Sequence, residues 1–209
     1  MELQPLYQAI LDGDQKEAVT ITQAAIDAGM DPDEVVKKYM ISAMDEVGRR
    51  FENNEFFVPE LLIAARAMKS SLGLLRPLLV ESGVQSVGSV AVGTVKGDMH
   101  DNGKNLVAAM MEGAGFDVFD LGVDVSAEQF VEAVTEQKVQ VICLSALLTT
   151  TMANMPATIE ALTEAGVRDQ VKVLIGGAPI TQKFADDIGA DGYGDNASAA
   201  VTQARQLIA

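Results

Sequence analysis

The chain has a single histidine, His100, and it lies in a polar stretch between two acids, Asp98 and Asp101. An imidazole beside a carboxylate can ligate a metal ion or move a proton, because the carboxylate fixes which ring nitrogen carries the hydrogen. Taken alone, a loop histidine is also typical of a solvated side chain. Its use therefore depends on the elements that position it.

Two further loops carry residues suited to ligand binding. Loop 145–151 offers four hydroxyls within seven residues, and Gly176-Gly177 would let a ligand approach bare backbone. Each has an ordinary alternative, since threonines often cap helices and paired glycines often make a tight turn.

Other chemistries fit the motifs poorly. Loop 93–104 follows neither the GxGxxG nor the GxxxxGK[ST] phosphate-binding pattern. A receiver domain would share the strand and helix pattern, but no clear acidic cluster follows the first strand. The one cysteine, Cys143, lies in the apolar run 139–148 and is predicted to be a buried thiol. One cysteine and one histidine exclude an internal disulfide, a multi-cysteine zinc site and a two-histidine metal site.

The composition bounds the class of protein. Of 209 residues 48% are hydrophobic, and 30 acids against 15 bases give a formal net charge of −15. Such a chain can bury a core, and its charge argues against partners that are nucleic acids or anionic membranes. The N-terminus lacks the pattern of a signal peptide, and no apolar run reaches the roughly 18 residues of a membrane span. We expect a soluble, cytoplasmic protein.

The elements that must position the loops fall into two halves. Residues 1–82 show helical spacing, with helix starts at Asp14 and Asp31-Pro32, and are expected to form a four-helix bundle. The last of these helices, from Val58, is expected to bury Leu61, Leu62 and the apolar residues that follow at helical spacing. A short linker, 81–86, then leads into a different pattern.

Residues 87–209 alternate strand and helix five times, which predicts a five-stranded parallel sheet of the Rossmann or flavodoxin type. The predicted strands are 87–95, 116–121, 139–146, 171–175 and 190–193, and Asp195 is expected to cap the last helix. Because ligands bind beyond the carboxyl ends of such strands, the three loops should converge there.

The segment Asp98-Met-His100-Asp-Asn-Gly103 matches the Asp-x-His-x-x-Gly signature of cobalamin-binding domains that hold the corrinoid with its lower base displaced. Segments 97–105, 120–123, 145–149 and 175–177 resemble the same family, in its order along the chain. The helical half, through 44–48 and 57–59, resembles the cap module of methionine synthase and of small corrinoid proteins in methyltransferase systems. The resemblance covers essentially the whole chain.

The resemblance implies that His100 ligates cobalt through Nε2 and is the metal ligand of the site, while Asp98 accepts the hydrogen of the other ring nitrogen. Thr151 matches the serine that completes a His–Asp–hydroxyl relay in methionine synthase, and these three form the predicted catalytic set. The predicted cofactor contacts are Gly97, Asp98, Met99, His100, Asp101, Gly103, Ser145, Leu147, Thr149, Gly176, Gly177 and Ala197, with Phe51 and Val58 of the cap shielding the methyl group.

The resemblance further implies a corrinoid methyl carrier whose cofactor is cobalamin, present as methylcobalamin in the loaded state. Its partners would be a donor-specific methyltransferase and a second methyltransferase acting on tetrahydrofolate or a thiol, with a reductive activase left open. The chain is too short to hold a catalytic barrel as well, so it would not catalyse either half-reaction alone. Two alternatives stand: a cobalamin sensor or storage module, and the cobalamin module of a methionine-synthase-like enzyme.

Overall fold

A computed structural model describes residues 3–83 and 86–209, which form two compact units. The helical unit comprises the chain up to Val87 together with Glu112–Gly115, and the α/β unit comprises Gly88–Met111 and Phe116–Ala209. The domain bounds predicted from the sequence, 1–82 and 87–209, stay a prediction. Val84 and Gln85 of the predicted linker lie outside the described residues. No helix in the described part of the chain is long and apolar enough to cross a membrane.

The helical unit has four successive helical segments within residues 3–83. They are α1 (Gln4–Leu11), α2 (Gln15–Asp27), a continuous segment made of α3 (Pro32–Glu34), a π-helix (Val35–Ile41) and α4 (Ser42–Glu52), and α5 (Val58–Glu81). The predicted starts are confirmed, because Asp14 accepts a hydrogen bond from the Glu17 N–H at 3.0 Å and Asp31 accepts one from the Asp33 N–H at 3.1 Å. Both side chains satisfy amides that have no acceptor inside the helix.

Two details of this unit differ from the sequence pattern. The third segment was expected to be a regular α-helix, but residues 35–41 are π-helical, and Val35, Val36 and Met40 are nevertheless buried there. On α5 the buried face includes Leu61, whereas Leu62, expected to be buried, is exposed. Leu62 and its neighbour Ile63 lie on the exposed side of α5, whereas the buried face continues at Ala64 and Ala65.

The α/β unit is a five-stranded parallel sheet with helices between the strands. In chain order it contains β1 (Ser89–Val95), α6 (Asn102–Gly113), β2 (Asp117–Val125), α7 (Ala127–Gln137), β3 (Val141–Ser145), α8 (Asn154–Glu164), a short 3₁₀ turn (Arg168–Gln170), β4 (Lys172–Gly176), α9 (Gln182–Ile188), β5 (Gly192–Gly194) and α10 (Ala197–Ile208). The strand order is β2-β1-β3-β4-β5, and every pairing is parallel. The predicted fold class is therefore confirmed.

The order of the strands determines where a ligand can bind. From β1 the chain moves to one side to form β2 and then returns across β1 to form β3, so the direction reverses between β1 and β3. A crevice opens at such a reversal beyond the carboxyl ends of the strands. The loop after β1 contains His100, and the loop after β3 contains Thr151.

One predicted helix cap is wrong. The N-cap of α10 is Asn196 rather than Asp195, because the Asn196 side chain accepts the Ala199 N–H at 2.9 Å. Asp195 instead accepts a hydrogen bond from the Asn196 amide at 2.9 Å. Asparagine caps helices as well as aspartate does, and Asn196 is the residue whose side chain reaches the Ala199 N–H.

Candidate functional site

The centre of the site is the carboxylate of Asp98, which is fully buried and accepts five hydrogen bonds. Its Oδ1 accepts the backbone N–H of His100 at 3.1 Å and lies 2.7 Å from His100 Nδ1. Its Oδ2 accepts the N–H groups of Leu147 and Leu148 at 2.8 and 3.3 Å and the Thr151 hydroxyl at 2.8 Å. One carboxylate thus joins the loop after β1 to the loop after β3.

These hydrogen bonds keep Asp98 ionised. Burial alone would raise the pKa of Asp98, but the bonds from the Leu147 and His100 amides and from the His100 and Thr151 side chains outweigh burial and hold the pKa well below its usual range. An ionised carboxylate can only accept hydrogen bonds. His100 Nδ1 must therefore be the donor, which leaves the lone pair on Nε2 in the neutral imidazole.

The free side of the imidazole is accessible. The His100 side chain is 49% exposed, whereas the Asp98 side chain beneath it is fully buried. Three large apolar side chains on the same two loops are also exposed, namely Met99, Leu147 and Leu148. Exposed apolar side chains on the two loops, together with one available imidazole nitrogen, suit a largely apolar ligand that carries a metal ion.

Two adjacent glycines, Gly176 and Gly177, lie where β4 ends and the next turn begins, so the backbone carries no side chains there. Gly177 has φ +130°, and a Cβ at this position would overlap the carbonyl oxygen of Ala146. A Cβ at Gly176 would lie 2.9 Å from the carbonyl oxygen of Gly194. Both positions therefore require glycine. Gly176 ends β4, where it pairs with Ser145 at the end of β3, and Gly177 begins the loop that follows.

The backbone of the His100 loop is fastened by side chains that the sequence analysis did not identify. The buried Thr94 donates its hydroxyl to the His100 carbonyl at 2.8 Å, and Asn154 donates its amide to the Lys96 carbonyl at 2.7 Å. Asp124, at the end of β2, accepts the Gly97 N–H at 2.8 Å. This bond and the neighbouring Lys96 side chain lower the pKa of Asp124.

A buried lysine side chain lies at the start of α6, directly after the His100 loop. The Lys104 side chain is 3% exposed and its Nζ lies 2.6 Å from both carboxylate oxygens of Asp120 on β2. The Gly122 N–H donates to the same carboxylate at 2.9 Å. This ion pair attaches the first turn of α6 to β2.

The structure brings some of the predicted site residues together and leaves others apart. His100, Asp98 and Thr151 form one hydrogen-bonded chain, and Gly97 and Met99 lie in the same loop. Asp101 instead contacts Asn105 one turn along α6, at 3.2 Å between its Oδ2 and the amide nitrogen. Gly103 is in the first turn of α6, and no heavy atom lies within 4 Å of the Cβ it would carry.

The remaining predicted contacts are at other strand ends or in the helical unit. Ser145 ends β3, Thr149 is exposed in the loop that follows, and Ala197 is buried at the start of α10. In the helical unit Phe51 is half-buried on α4 and Val58 is exposed at the start of α5. Phe57, which the sequence analysis did not single out, is exposed beside Val58. Contact of these residues with a cofactor stays a prediction.

A metal ion at this site would receive few ligands from the protein. In the residues that the structure describes, no group of three or more His, Cys, Asp or Glu side chains could hold a metal ion. The geometry instead offers one oriented imidazole nitrogen. It fits a metal whose other ligands come with an organic cofactor.

Comparison with known proteins gives the same class of ligand. Residues 88–202 match the family model described as "B12 binding domain", and residues 2–76 match a second model with that description. The chain is 48% identical to the trimethylamine corrinoid protein of Methanosarcina barkeri, over 96% of this chain and 94% of that protein. It is 41% identical to the dimethylamine corrinoid protein of the same organism, over 99% and 97% of the two chains.

A solved structure resembles the whole chain. The crystal structure of the methanol:cobalamin methyltransferase complex from Methanosarcina barkeri contains a chain with a TM-score of 0.85 and 32% identity. The match covers 98% of this chain and 78% of that one.

Proposed function

The chain belongs to the B12-binding corrinoid proteins of methyltransferase systems, and from this membership we propose that it carries a methyl group between two enzymes. One partner would be a methyltransferase specific for the methyl donor. The other would be a methyltransferase that passes the group to tetrahydrofolate or a thiol. The cofactor of the family is a corrinoid, and the residues of the site fit one.

The fit rests on complementary features. His100 offers one nitrogen on loops that also expose apolar side chains, and Gly176 and Gly177 leave the backbone without side chains where β4 ends. When bound, a corrinoid would supply a cobalt ion that can carry the methyl group. His100 would bind the cobalt through Nε2, and Gly176 and Gly177 would contact the nucleotide tail of the corrinoid.

The structural observation that most directly supports the proposal is the orientation of His100 by Asp98. The 2.7 Å contact between Nδ1 and an ionised, buried carboxylate holds the hydrogen on Nδ1 and increases the electron density on Nε2. Thr151 donates to the opposite carboxylate oxygen and so moderates how strongly Asp98 pulls on the imidazole hydrogen. The three residues would thereby set how strongly Nε2 binds the cobalt.

The class of donor that we propose is a methylated amine. The relatives named for trimethylamine and dimethylamine match along nearly their whole length, at 48% and 41% identity, whereas the chain in the methanol complex is 32% identical. Because sequence identity is higher with the trimethylamine protein than with the other two, we propose trimethylamine as the first donor to test. Recognition of the donor itself would reside in the partner enzyme.

The test is methyl transfer with reconstituted protein. The chain is loaded with hydroxocobalamin, reduced, and mixed with methyltransferases specific for trimethylamine, dimethylamine or methanol, together with an acceptor methyltransferase. We expect turnover with an amine enzyme and its loss in His100→Ala. Lys183→Ala, on an exposed ion pair of α9, serves as the matched control and should transfer at the parent rate.

The same experiment separates a carrier from a sensor or storage module. A sensor would bind one corrinoid through His100 and return no methyl group to any acceptor. Binding without transfer to any of the three enzyme pairs would refute the carrier. Transfer with the methanol enzyme alone would refute the amine assignment and leave the carrier function in place.

A further inference from the structure

Strand β2 changes its register beside the His100 loop. Its pairing with β1 shifts between Val92 and Gly93 and again between Gly93 and Val95, and at each shift β2 contains one extra residue. The two extra residues give β2 positive φ angles at Gly122 (+85°) and Asp124 (+55°). Bulges of this kind redirect side chains, and a non-glycine residue with positive φ persists where its surroundings hold it.

The bulges direct Asp124 at the loop that carries His100. Its carboxylate accepts the Gly97 N–H at 2.8 Å and lies 3.2 Å from Lys96 Nζ. Its own backbone N–H donates to the carbonyl of Asp98 at 3.0 Å. One residue thus contacts three consecutive residues of the loop, and the last of them is the residue that orients His100.

We propose that Asp124 is a positioning residue, which fixes the loop backbone so that the Asp98 carboxylate holds His100 in the tautomer with hydrogen on Nδ1. The inference deepens the proposed function and rests on it for its use in methyl transfer. The tautomer itself can be measured without cofactor or partner.

Gly97 explains why a side chain is needed here. It has φ +80°, a region open to glycine at little cost, so its peptide can rotate unless a partner holds it. The Asp124 carboxylate supplies that partner by accepting the Gly97 N–H. Without it, rotation at Gly97 would move the next residue, Asp98, whose two oxygens serve five donors at fixed distances.

The experiment uses 15N-histidine in the protein without cofactor, where His100 gives the one histidine signal. At a pH where the imidazole is neutral, the shifts of the two ring nitrogens report the ratio of tautomers. Asp124→Gly keeps the positive φ and removes the carboxylate, and Asp124→Asn keeps both the conformation and an acceptor oxygen. Lys138→Gly, at another positive φ (+53°) at the end of α7, is the matched control.

We expect Asp124→Gly to raise the minor tautomer, with hydrogen on Nε2, several-fold, while Asp124→Asn and Lys138→Gly keep the parent ratio. In the reconstituted cobalt(II) protein, Asp124→Gly should reduce the fraction of cobalt that shows coupling to the histidine nitrogen. If Asp124→Gly kept the parent ratio of His100 tautomers, the proposal would be overturned. It would also be overturned if Asp124→Asn did not keep that ratio.

A second measurement does not depend on the folding of any variant. In the parent chain the exposed loop amide of Gly97 should exchange its hydrogen at least tenfold more slowly than an unbonded amide, because Asp124 holds it. Unprotected exchange at Gly97 would also overturn the proposal. Methyl transfer can fail with the tautomer intact, in which case the carrier function is wrong and the role of Asp124 stands.

Discussion

Asp98 contributes stability only while it is ionised, because its five hydrogen-bond partners all donate to it. Its pKa in the folded chain is lowered from the ordinary value of 3.8. A lowered pKa means that the stabilisation is present above the unfolded pKa and is lost as the pH falls through the folded one. The pH dependence of unfolding should therefore carry the signature of this residue below about pH 4.

Asp98→Asn tests that dependence. The amide turns one oxygen into a donor that faces other donors, so we expect the free energy of unfolding at pH 7 to fall by roughly 2–3 kcal/mol. The difference from the parent should shrink as the pH is lowered below 4, in urea unfolding series at several pH values. Asp187→Asn, an exposed acid paired with Lys183, is the control. A difference that stays constant with pH would show that Asp98 is not the group that titrates.

Thr151→Val removes the hydroxyl that donates to Asp98 while nearly keeping the volume. Asp98 then accepts more strongly from His100, and Nε2 becomes a stronger donor to the metal. We expect the Co(II)/Co(I) midpoint potential of the reconstituted protein to become more negative, by on the order of 10–60 mV. The free energy of unfolding should fall by about 1 kcal/mol.

Thr158→Val is the matched control for this measurement. It removes another buried hydroxyl, which donates to the Asn154 carbonyl on α8 and does not contact Asp98. We expect a similar loss of stability with an unchanged potential. Equal potentials in both variants would confine the relay to His100 and Asp98.

At the scale of elements, the turn after β4 should tolerate no side chain at Gly177. Gly177→Ala combines a φ of +130° with a Cβ that overlaps the Ala146 carbonyl, so we expect a loss of at least about 3 kcal/mol in the free energy of unfolding. Cobalamin binding, titrated below the unfolding midpoint, should weaken at least tenfold because the turn must shift. Urea unfolding and equilibrium titration measure the two effects.

Gly166→Ala provides the comparison. Gly166 also has a positive φ (+71°), but no heavy atom lies within 4 Å of the Cβ it would carry. This variant should lose about 1–2 kcal/mol and bind cobalamin like the parent. Equal effects in both variants would mean that backbone strain alone, and not the close approach of Ala146, makes glycine necessary at Gly177.

At the scale of the whole molecule, local sequence patterns predicted most helices and strands. They did not predict the contacts between residues that are distant in the sequence. The five strands and their order in the chain follow from apolar runs that alternate with helical spacing. The end of β2 did not, because Gly122 and Asp124 interrupt the run after Leu121 and the strand continues through two bulges to Val125. The π-helix at 35–41 had no sequence signal that we can identify.

Some residues of the site were likewise predicted from the sequence, and others were not. The family resemblance, carried by the motif at 98–103, implied the hydrogen bonds of His100 and Thr151 with Asp98 that the structure shows. It could not predict Asp124 or Asn154, which bond to residues 27 and 58 positions away. Such partners depend on which strands become neighbours and on bulges that turn one side chain, and neither is written in a local pattern.

The two compact units lead to a prediction about how the chain unfolds. Cys143 lies on β3 of the α/β unit, where burial raises the pKa of its thiol to about 12. A thiol reagent should therefore modify it only when that unit opens. Because each unit contains its own buried apolar residues, we expect opening of the α/β unit to be independent of damage to the helical unit.

Two leucines, both fully buried, make a matched pair for this test: Leu162 on α8 and Leu61 on α5. Each Leu→Ala change should cost about 2–5 kcal/mol in its own unit. Leu162→Ala should then speed the labelling of Cys143 about tenfold for each 1.4 kcal/mol lost. Leu61→Ala should leave the labelling rate within about twofold of the parent while lowering the helical unit's midpoint in urea. Equal acceleration by both changes would show that the units open together, as one cooperative structure, because damage to either would then expose the same thiol.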